Sequence, residues 1–292
     1  MGYLFVALAA LLWGSLGPVA RAAFEAGVSP LELAFWRASI AGVCFAAHAA
    51  VRGRFRIARG DVAGLVLFAF LGVTVFYWSY LRAVDLGGAA LAAVLLYTAP
   101  AWVALGAAIW LGERFTARAL AALVLALAGV ALVAFGGGGD TRVSAAAIAW
   151  GLVSGLSYAA YYLFGKRYFA RYATPTLFLY ALPIGALSLL PAVRFAPKSA
   201  AAWGAILFIA VVPTYLAYLL YAHGLRRVEA TRAAMVATLE PVVAAVAAYV
   251  AWGERLGVAG TIGGALVLGG VLVATTRRGA PDPPHEGPAP TR

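Results

Sequence analysis

Ten long apolar runs fill most of the chain, separated by short breaks rich in polar residues, glycine and proline. A helix needs about 20 mainly apolar residues to cross the hydrocarbon of a membrane, and each run is long enough to do so. The pattern therefore predicts an all-α integral membrane protein with ten transmembrane helices. Their expected bounds are approximately 2–22, 30–51, 61–81, 88–111, 116–136, 143–165, 175–193, 200–223, 230–252 and 256–276.

The breaks carry the residues that begin helices or join them. Ser29-Pro30 and Thr174-Pro175 each combine an N-cap residue with a proline at the first helical position. Gly136 to Gly139, followed by Asp140, separates the fifth run from the sixth. This glycine stretch lacks the Gly-Lys-Ser/Thr ending that a phosphate-binding loop needs, so we interpret it as a linker.

One stretch of sequence occurs twice. Residues 97–114 read YTAPAWVALGAAIWLGER and residues 238–255 read TLEPVVAAVAAYVAWGER. At an offset of 141 residues, Pro100, Gly112, Glu113 and Arg114 match Pro241, Gly253, Glu254 and Arg255. The constant offset indicates that one half of the chain duplicates the other.

The duplication divides the chain into two units and a tail. We predict a first five-span repeat over 1–139, a second over 140–278, and a disordered proline-rich tail over 279–292. Because each repeat has an odd number of spans, the two copies enter the membrane in opposite directions. Inverted repeats of this kind are typical of secondary transporters, which bind substrate near the midplane where the repeats meet.

Composition supports a membrane location and narrows the function. The chain is 64% apolar and 11% charged, whereas soluble domains are about 25% charged. Its net charge of +11 fits loops that face cytoplasm and anionic lipid, so we expect membrane lipids and no nucleic acid as partners. Most Lys and Arg residues lie on the side that holds both termini, which predicts that both are cytoplasmic. The single cysteine, Cys44, excludes an internal disulfide framework and a cysteine-rich metal site.

Several short motifs, in order, resemble those of a known family. They are Leu12-Trp13-Gly14-Ser15, Phe35-Trp36-Arg37-Ala38, Ala99-Pro100 with Gly112-Glu113-Arg114, and Glu240-Pro241 with Gly253-Glu254-Arg255. Over about residues 2–276 the chain resembles the EamA branch of the drug/metabolite transporter superfamily, and its aromatic-rich spans are most similar to YddG-type exporters of aromatic amino acids.

The resemblance implies a basket of ten helices in a plasma membrane, here the bacterial inner membrane. Spans 1, 3, 4, 6, 8 and 9 would surround a central cavity, and spans 5 and 10 would support it from outside. It also implies export or exchange of small metabolites without nucleotide hydrolysis.

Tyrosines form stripes on two spans related by the repeat. Tyr77 corresponds to Tyr218 and Tyr80 to Tyr221 at the same offset, and a spacing of three residues puts each pair on one helix face. In a cavity these rings would bind aromatic or cationic solutes. The alternative is the aromatic belt at the membrane surface, which applies best to Tyr80 and Tyr221 near the span ends. The aromatic and hydroxyl side chains that we expect to bind substrate are Tyr77, Trp78, Tyr97, Trp102, Tyr158, Tyr162, Tyr218 and Ser15.

Glu240 is the most informative ionisable residue. It lies about midway along the ninth span, where a carboxylate is costly unless it is protonated, paired or facing water. It also precedes Pro241, which can kink the helix. We include Glu240 among the substrate-binding candidates, where it would bind a proton or an ammonium group; the alternative is a structural hydrogen bond. Arg37, about two turns into the second span, has several open roles: it binds a carboxylate, pairs with Glu32 or Glu240, or extends to the surface.

These observations predict a transporter that exports small amphipathic metabolites, amino acids including aromatic ones, by alternating access. A carrier for organic cations, drugs or other metabolites is the alternative. An integral-membrane enzyme is disfavoured, because the few histidines and the one deep carboxylate form no converging nucleophile, base or metal cluster. We accordingly expect no catalytic residues, no metal and no cofactor, and a monomer or a weak oligomer.

Overall fold

The computed structural model describes residues 1–135, 143–253 and 257–276. Across these ranges all regular structure is helical, and ten helices are long and apolar enough to cross a membrane. The predicted fold class and the predicted ten spans are confirmed. The helices are α1 (Gly2–Glu25), α2 (Pro30–Arg52), α3 (Arg59–Gly87), α4 (Leu91–Trp110), α5 (Ala117–Phe135), α6 (Ala145–Arg171), α7 (Thr174–Ala192), α8 (Ala200–Leu225), α9 (Ala230–Ala251) and α10 (Val258–Thr275).

Three predicted features lie outside the described residues. They are the glycine linker with Asp140, the Glu254-Arg255 pair, and the tail over 279–292.

The predicted start of α2 is well supported, since the Ser29 hydroxyl accepts a hydrogen bond from the Glu32 backbone N–H and Pro30 is the first helical residue. At α7 the helix begins at Thr174 itself, with Pro175 as its second residue.

Several helices are interrupted, and most interruptions recur at matching places in the two halves. π-helical turns cover Phe70–Val75 in α3 and Val211–Leu216 in α8. α4 is broken at Tyr97 and Thr98, and α9 at Thr238 and Leu239. Both pairs are separated by the 141 residues found in the sequence repeat. The regular segments begin two residues before the span given above for α4 and end one residue beyond that given for α9. They are Gly2–Gly14 and Leu16–Glu25 in α1, Arg59–Ala69 and Phe76–Gly87 in α3, Ala89–Leu96 and Ala99–Trp110 in α4, Ala200–Ala210 and Ala217–Leu225 in α8, and Ala230–Ala237 and Glu240–Trp252 in α9.

The glycines that follow α4 and α9 also match in conformation. Gly112 and Gly253 both have φ of 68°, a left-handed conformation that glycine adopts without steric cost. The break in α1 at Ser15 has no match in the second half. Its counterpart there, α6, is one unbroken helix over Ala145–Arg171.

Each helix of the first half has a counterpart five places later in the chain, and the packing of the helices follows this correspondence. The most extensive pairs are α5 with α10 and α2 with α7. α3 packs on α6, and correspondingly α8 packs on α1. The pairing of helices is therefore largely unchanged when each helix is exchanged for its counterpart.

Both of the extensive pairs are antiparallel. In the first, Gly129 of α5 meets Gly263 of α10, whereas Gly270 meets Ala122. In the second, Gly42 of α2 meets Pro183 of α7, and Phe45 packs on Phe178. In each pair the residue numbers rise along one helix and fall along the other.

Both ends of the described chain lie at one end of the bundle, called here the termini end. Tyr3 accepts a hydrogen bond from Arg232, and Met235 packs with Ala274 near the end of α10. Fully buried aromatic residues fill the core on this side, among them Phe45, Tyr162, Phe178 and Tyr221.

The contact between α5 and α10 depends on glycine, because small residues let two helix backbones approach closely in a membrane. A Cβ on Gly129 would lie 2.6 Å from the Gly263 carbonyl oxygen. The Gly263 oxygen belongs to the backbone of α10, so this clash is relieved only if α5 and α10 move apart.

We predict that Gly129→Ala destabilises the protein by about 1–3 kcal/mol, the usual cost of overpacking. Gly269→Ala in α10 is the matched control, since a Cβ there meets nothing within 4 Å. Unfolding of the purified protein in mixed detergent measures both. Equal stability of the two variants would show that the close glycine contact is absent.

Candidate functional site

A cavity of about 300 Å³ lies among α1, α2, α3, α4, α6, α8 and α9. Its volume falls at the lower end of the range for small-molecule pockets. The helices that the resemblance placed around a cavity all contribute, and α2 joins them through Arg37; α5 and α10 supply no residue among those described at its wall. The wall is mainly aromatic, formed by Trp13, Phe76, Tyr77, Tyr80, Tyr97, Tyr158, Tyr161 and Tyr218.

Irregular backbone surrounds this cavity. Its lining includes Leu16 beside the α1 break, Gly72 in the α3 π-turn, Tyr97 in the α4 break and Glu240 just after the α9 break. Inside a membrane, backbone that leaves the helical pattern is tolerated where protein or a water-filled cavity satisfies it. The breaks therefore mark the cavity and set the direction of the chain at its wall.

Side-chain hydroxyls compensate the helix at the breaks in α1, α4 and α9 and in the π-turn of α8. Ser15, Thr98 and Thr238 donate hydrogen bonds of 2.6 Å to the carbonyl oxygens three residues before them. In the α8 π-turn, Thr214 donates to the Ile209 carbonyl at 2.8 Å. These hydroxyls satisfy carbonyls that the interrupted helix leaves without its usual donors.

Arg37 is held at the cavity wall by groups from the second half of the chain. Its Nε donates to Thr214 Oγ1 at 3.1 Å and one Nη donates to Tyr218 Oη at 3.5 Å. The guanidinium carbon lies 5.1 Å from the centre of the Tyr77 ring, within cation–π range. Glu32 pairs instead with Lys198, and no ion pair among the described residues joins it to Arg37. Arg37 therefore contributes a fixed positive charge to the cavity.

Glu240 contributes the negative charge. It is the first residue of the second α9 segment, where a carboxylate is favoured by the positive end of the helix dipole. Tyr97 and Arg37 line the same cavity as Glu240. Among the ion pairs of the described residues, none joins Arg37 to Glu240. The cavity thus holds two opposite charges that come from different halves of the chain.

The structure brings five of the nine predicted site residues together at this cavity. Its wall includes Tyr77, Tyr97, Tyr158, Tyr218 and Glu240. The stripe formed by Tyr77 and Tyr80 faces the cavity as a whole, so Tyr80 lies there and not only at the membrane surface. Substrate binding by these residues remains a prediction.

Four predicted residues lie elsewhere. Trp78 is 41% exposed and borders an outer surface with Trp150. Trp102 donates to Thr98 Oγ1 at 3.2 Å, and Ser15 compensates the α1 break. Tyr162 is buried behind the wall and donates to the Tyr158 hydroxyl at 3.2 Å. Trp102, Ser15 and Tyr162 thus support the wall from behind.

Sequence reasoning missed several wall residues. Trp13, within the Leu-Trp-Gly-Ser motif, packs edge-on against Tyr218, and the motif itself was the signal that could have identified it. Phe76 stacks on Tyr158. Tyr161 is 5% exposed, and its buried hydroxyl lacks a hydrogen-bond partner among the described residues. Tyr221, the predicted partner of Tyr80, is instead fully buried.

At the termini end, contacts join the two halves. The Glu113 carboxylate accepts hydrogen bonds from the backbone N–H groups of Ala230 and Thr231, at 2.7 and 3.1 Å, and from Thr231 Oγ1 at 2.8 Å. Asp61 pairs with Arg171 at 3.1 Å and accepts from the Tyr172 hydroxyl at 2.6 Å. Glu113 of the first half thus caps the start of α9 in the second half.

Comparisons with known proteins agree with the ten-helix fold. The model of the EamA-like transporter family matches residues 1–135 and 145–276. The chain is 34% identical over 218 residues to an uncharacterized transporter of Archaeoglobus fulgidus, covering 72% of this chain and 74% of that protein. It is 27% identical over 280 residues to a probable terminal-alkyne amino-acid exporter of Streptantibioticus cattleyicolor, covering 92% of each. A solved crystal structure with 23% identity has the same fold, with a TM-score of 0.80 over 94% of this chain and 96% of that one.

Proposed function

We propose that this chain, which belongs to the EamA-like transporter family, exports small amphipathic metabolites, amino acids with aromatic side chains among them. One observation carries the proposal: an aromatic cavity holds one fixed guanidinium and one carboxylate. A zwitterionic amino acid presents the complementary charges. Arg37 would bind its carboxylate, Glu240 its ammonium group, and the surrounding rings its side chain.

The relative from Streptantibioticus cattleyicolor supports this substrate class, since it is named a probable amino-acid exporter and matches the chain over 92% of its length. Arg37 distinguishes an amino acid from a simple organic cation, the main alternative. A positive charge anchored at the cavity wall by Thr214 and Tyr218 repels a solute that carries only positive charge.

We further propose that the two halves are inverted repeats that work by alternating access. The proposal is supported by the antiparallel packing of α5 with α10 and of α2 with α7, and by the π-turns and breaks repeated after 141 residues. Two similar units in opposite orientation can exchange conformations, which moves the opening of a shared cavity from one face to the other.

The described conformation fits one state of that cycle. The cavity lining comes from the middle of α1, α3 and α9 and from their parts far from the termini. The contacts of Glu113 and Asp61 close the termini end. With both termini cytoplasmic in a bacterial inner membrane, as the Lys and Arg distribution favours, this is the outward-facing state. Opening toward the cytoplasm would then require Glu113 to release α9.

Purified protein in liposomes tests the proposed substrate directly. We expect labelled phenylalanine to cross the liposome membrane faster than in protein-free liposomes, and faster than methyl viologen, a purely cationic solute. Faster movement of methyl viologen would favour the cation carrier. If no solute moves under any gradient while a lipid-linked substrate is chemically altered, the carrier function itself is wrong.

We predict that Glu240→Gln lowers phenylalanine transport on the order of 10-fold, because a hydrogen bond to a charged group is worth about 1.5–3 kcal/mol. Acidification protonates the wild-type carboxylate and weakens its hold on an ammonium group, whereas glutamine does not titrate. The variant should therefore lose the part of the pH dependence that the carboxylate supplies.

The matched control is Glu25→Gln, which removes an exposed carboxylate paired with Arg21 and should leave transport unchanged. If Glu240→Gln transports at the wild-type rate with the wild-type pH profile, Glu240 is structural and does not bind substrate.

A further inference from the structure

A second pocket, of about 680 Å³, lies at the termini end among α2, α6, α7 and α8. None of its lining residues is shared with the central cavity. Its ionisable groups are basic, and the lining described contains no aspartate or glutamate. These basic residues are His48, Arg52, Arg54, Arg171, His223 and Arg226.

Two of the arginines are already engaged by the protein. The Arg226 guanidinium donates to the carbonyl oxygens of Phe169 and Tyr172, at 2.7 and 3.1 Å, and joins α8 to the turn between α6 and α7. Arg171 pairs with Asp61 at 3.1 Å, outside the pocket lining. These contacts shape the pocket wall and account for part of its charge.

Arg52 and Arg54 carry positive charges that no acidic side chain among the described residues neutralises. They flank Gly53, which ends α2 with φ of 60°, and both side chains are exposed. Within the described ranges, no ion pair or side-chain hydrogen bond engages either guanidinium. The loop itself is fixed, because Thr176 Oγ1 donates to the Arg54 carbonyl oxygen at 2.8 Å. Two guanidinium groups are thus held at the pocket without an anion from the protein.

Apolar surface that faces lipid adjoins this pocket. On α8, Leu216 is 41% exposed and lies three residues before Leu219, which lines the pocket, so the two share a helix face. On α2, Val43 is 69% exposed and lies deeper along the helix than His48 of the pocket. Exposed apolar side chains of α2 and α8 therefore lie on the membrane side of the pocket. A soluble anion would make no use of this surface.

We propose that this pocket binds the phosphate of an anionic phospholipid head group, with the acyl chains lying along α2 and α8. A basic pocket between transmembrane helices at the membrane surface has the charge that such head groups require. Arg52 and Arg54 are the residues that contact the phosphate.

Native mass spectrometry of the purified full-length protein tests the site, with phosphatidylglycerol and phosphatidylcholine as probes. We expect phosphatidylglycerol to be retained preferentially. Arg52→Gln with Arg54→Gln should weaken its binding on the order of 10-fold or more, and lysine at both positions should restore most of it. Arg59→Gln with Arg114→Gln is the control, because it removes the same charge from the same end outside the pocket.

Three outcomes would overturn the proposal. If both double variants weaken binding equally, the attraction is to the basic surface in general. If phosphatidylcholine binds as tightly as phosphatidylglycerol, the pocket does not select lipids with a net negative charge. If glycerol phosphate binds as tightly as the lipid, the pocket serves a soluble phosphate compound. Thermal unfolding of each variant in detergent separates a lost site from a lost fold.

Discussion

Hydrocarbon offers no hydrogen bonds to a polypeptide backbone, and the whole structure depends on that constraint. The chain crosses as helices because a helix satisfies its own N–H and C=O groups. Where α1, α4 and α9 break, Ser15, Thr98 and Thr238 supply hydroxyls to the adjacent carbonyls, and the breaks lie at the cavity. These three breaks therefore each have a local hydrogen bond from a side-chain hydroxyl and a position at or beside the candidate site.

The two halves share the prolines at the breaks of α4 and α9, but they do not share the ionisable residues at the cavity. Pro100 and Pro241 occupy equivalent places, yet Ala99 precedes the first and Glu240 the second. The positive charge comes from Arg37 in the first half, held by Thr214 and Tyr218 from the second. Because the cavity charges belong to different halves, movement of one half against the other would change how both ends of a bound zwitterion are held. In the proposed transport cycle, the similarity of the two halves would permit the motion, and the different charges would set the selectivity.

Hydrophobic length predicted all ten helices, since a membrane imposes nearly the same span on each. The repeat offset indicated the duplication, and the structure shows that the helix breaks recur at that offset. The same reasoning could not separate Tyr77, at the cavity, from Trp78, on the outer surface. These neighbours follow a π-turn over Phe70–Val75, which changes the helical register and leaves no sign in residue spacing. Arg37 was ambiguous because its partners lie far away in sequence and converge only through packing.

The central claim is that the cavity is accessible from one face at a time. Ala93 lies in its wall, so a cysteine there, with Cys44→Ser removing the native thiol, reports access to a membrane-impermeant thiol reagent. In oriented vesicles without substrate, the account predicts labelling only from the face opposite the termini. Inward-facing conditions set by a substrate gradient should add labelling from the termini face and reduce labelling from the other. Equal and simultaneous labelling from both faces would contradict alternating access and indicate a continuous pore.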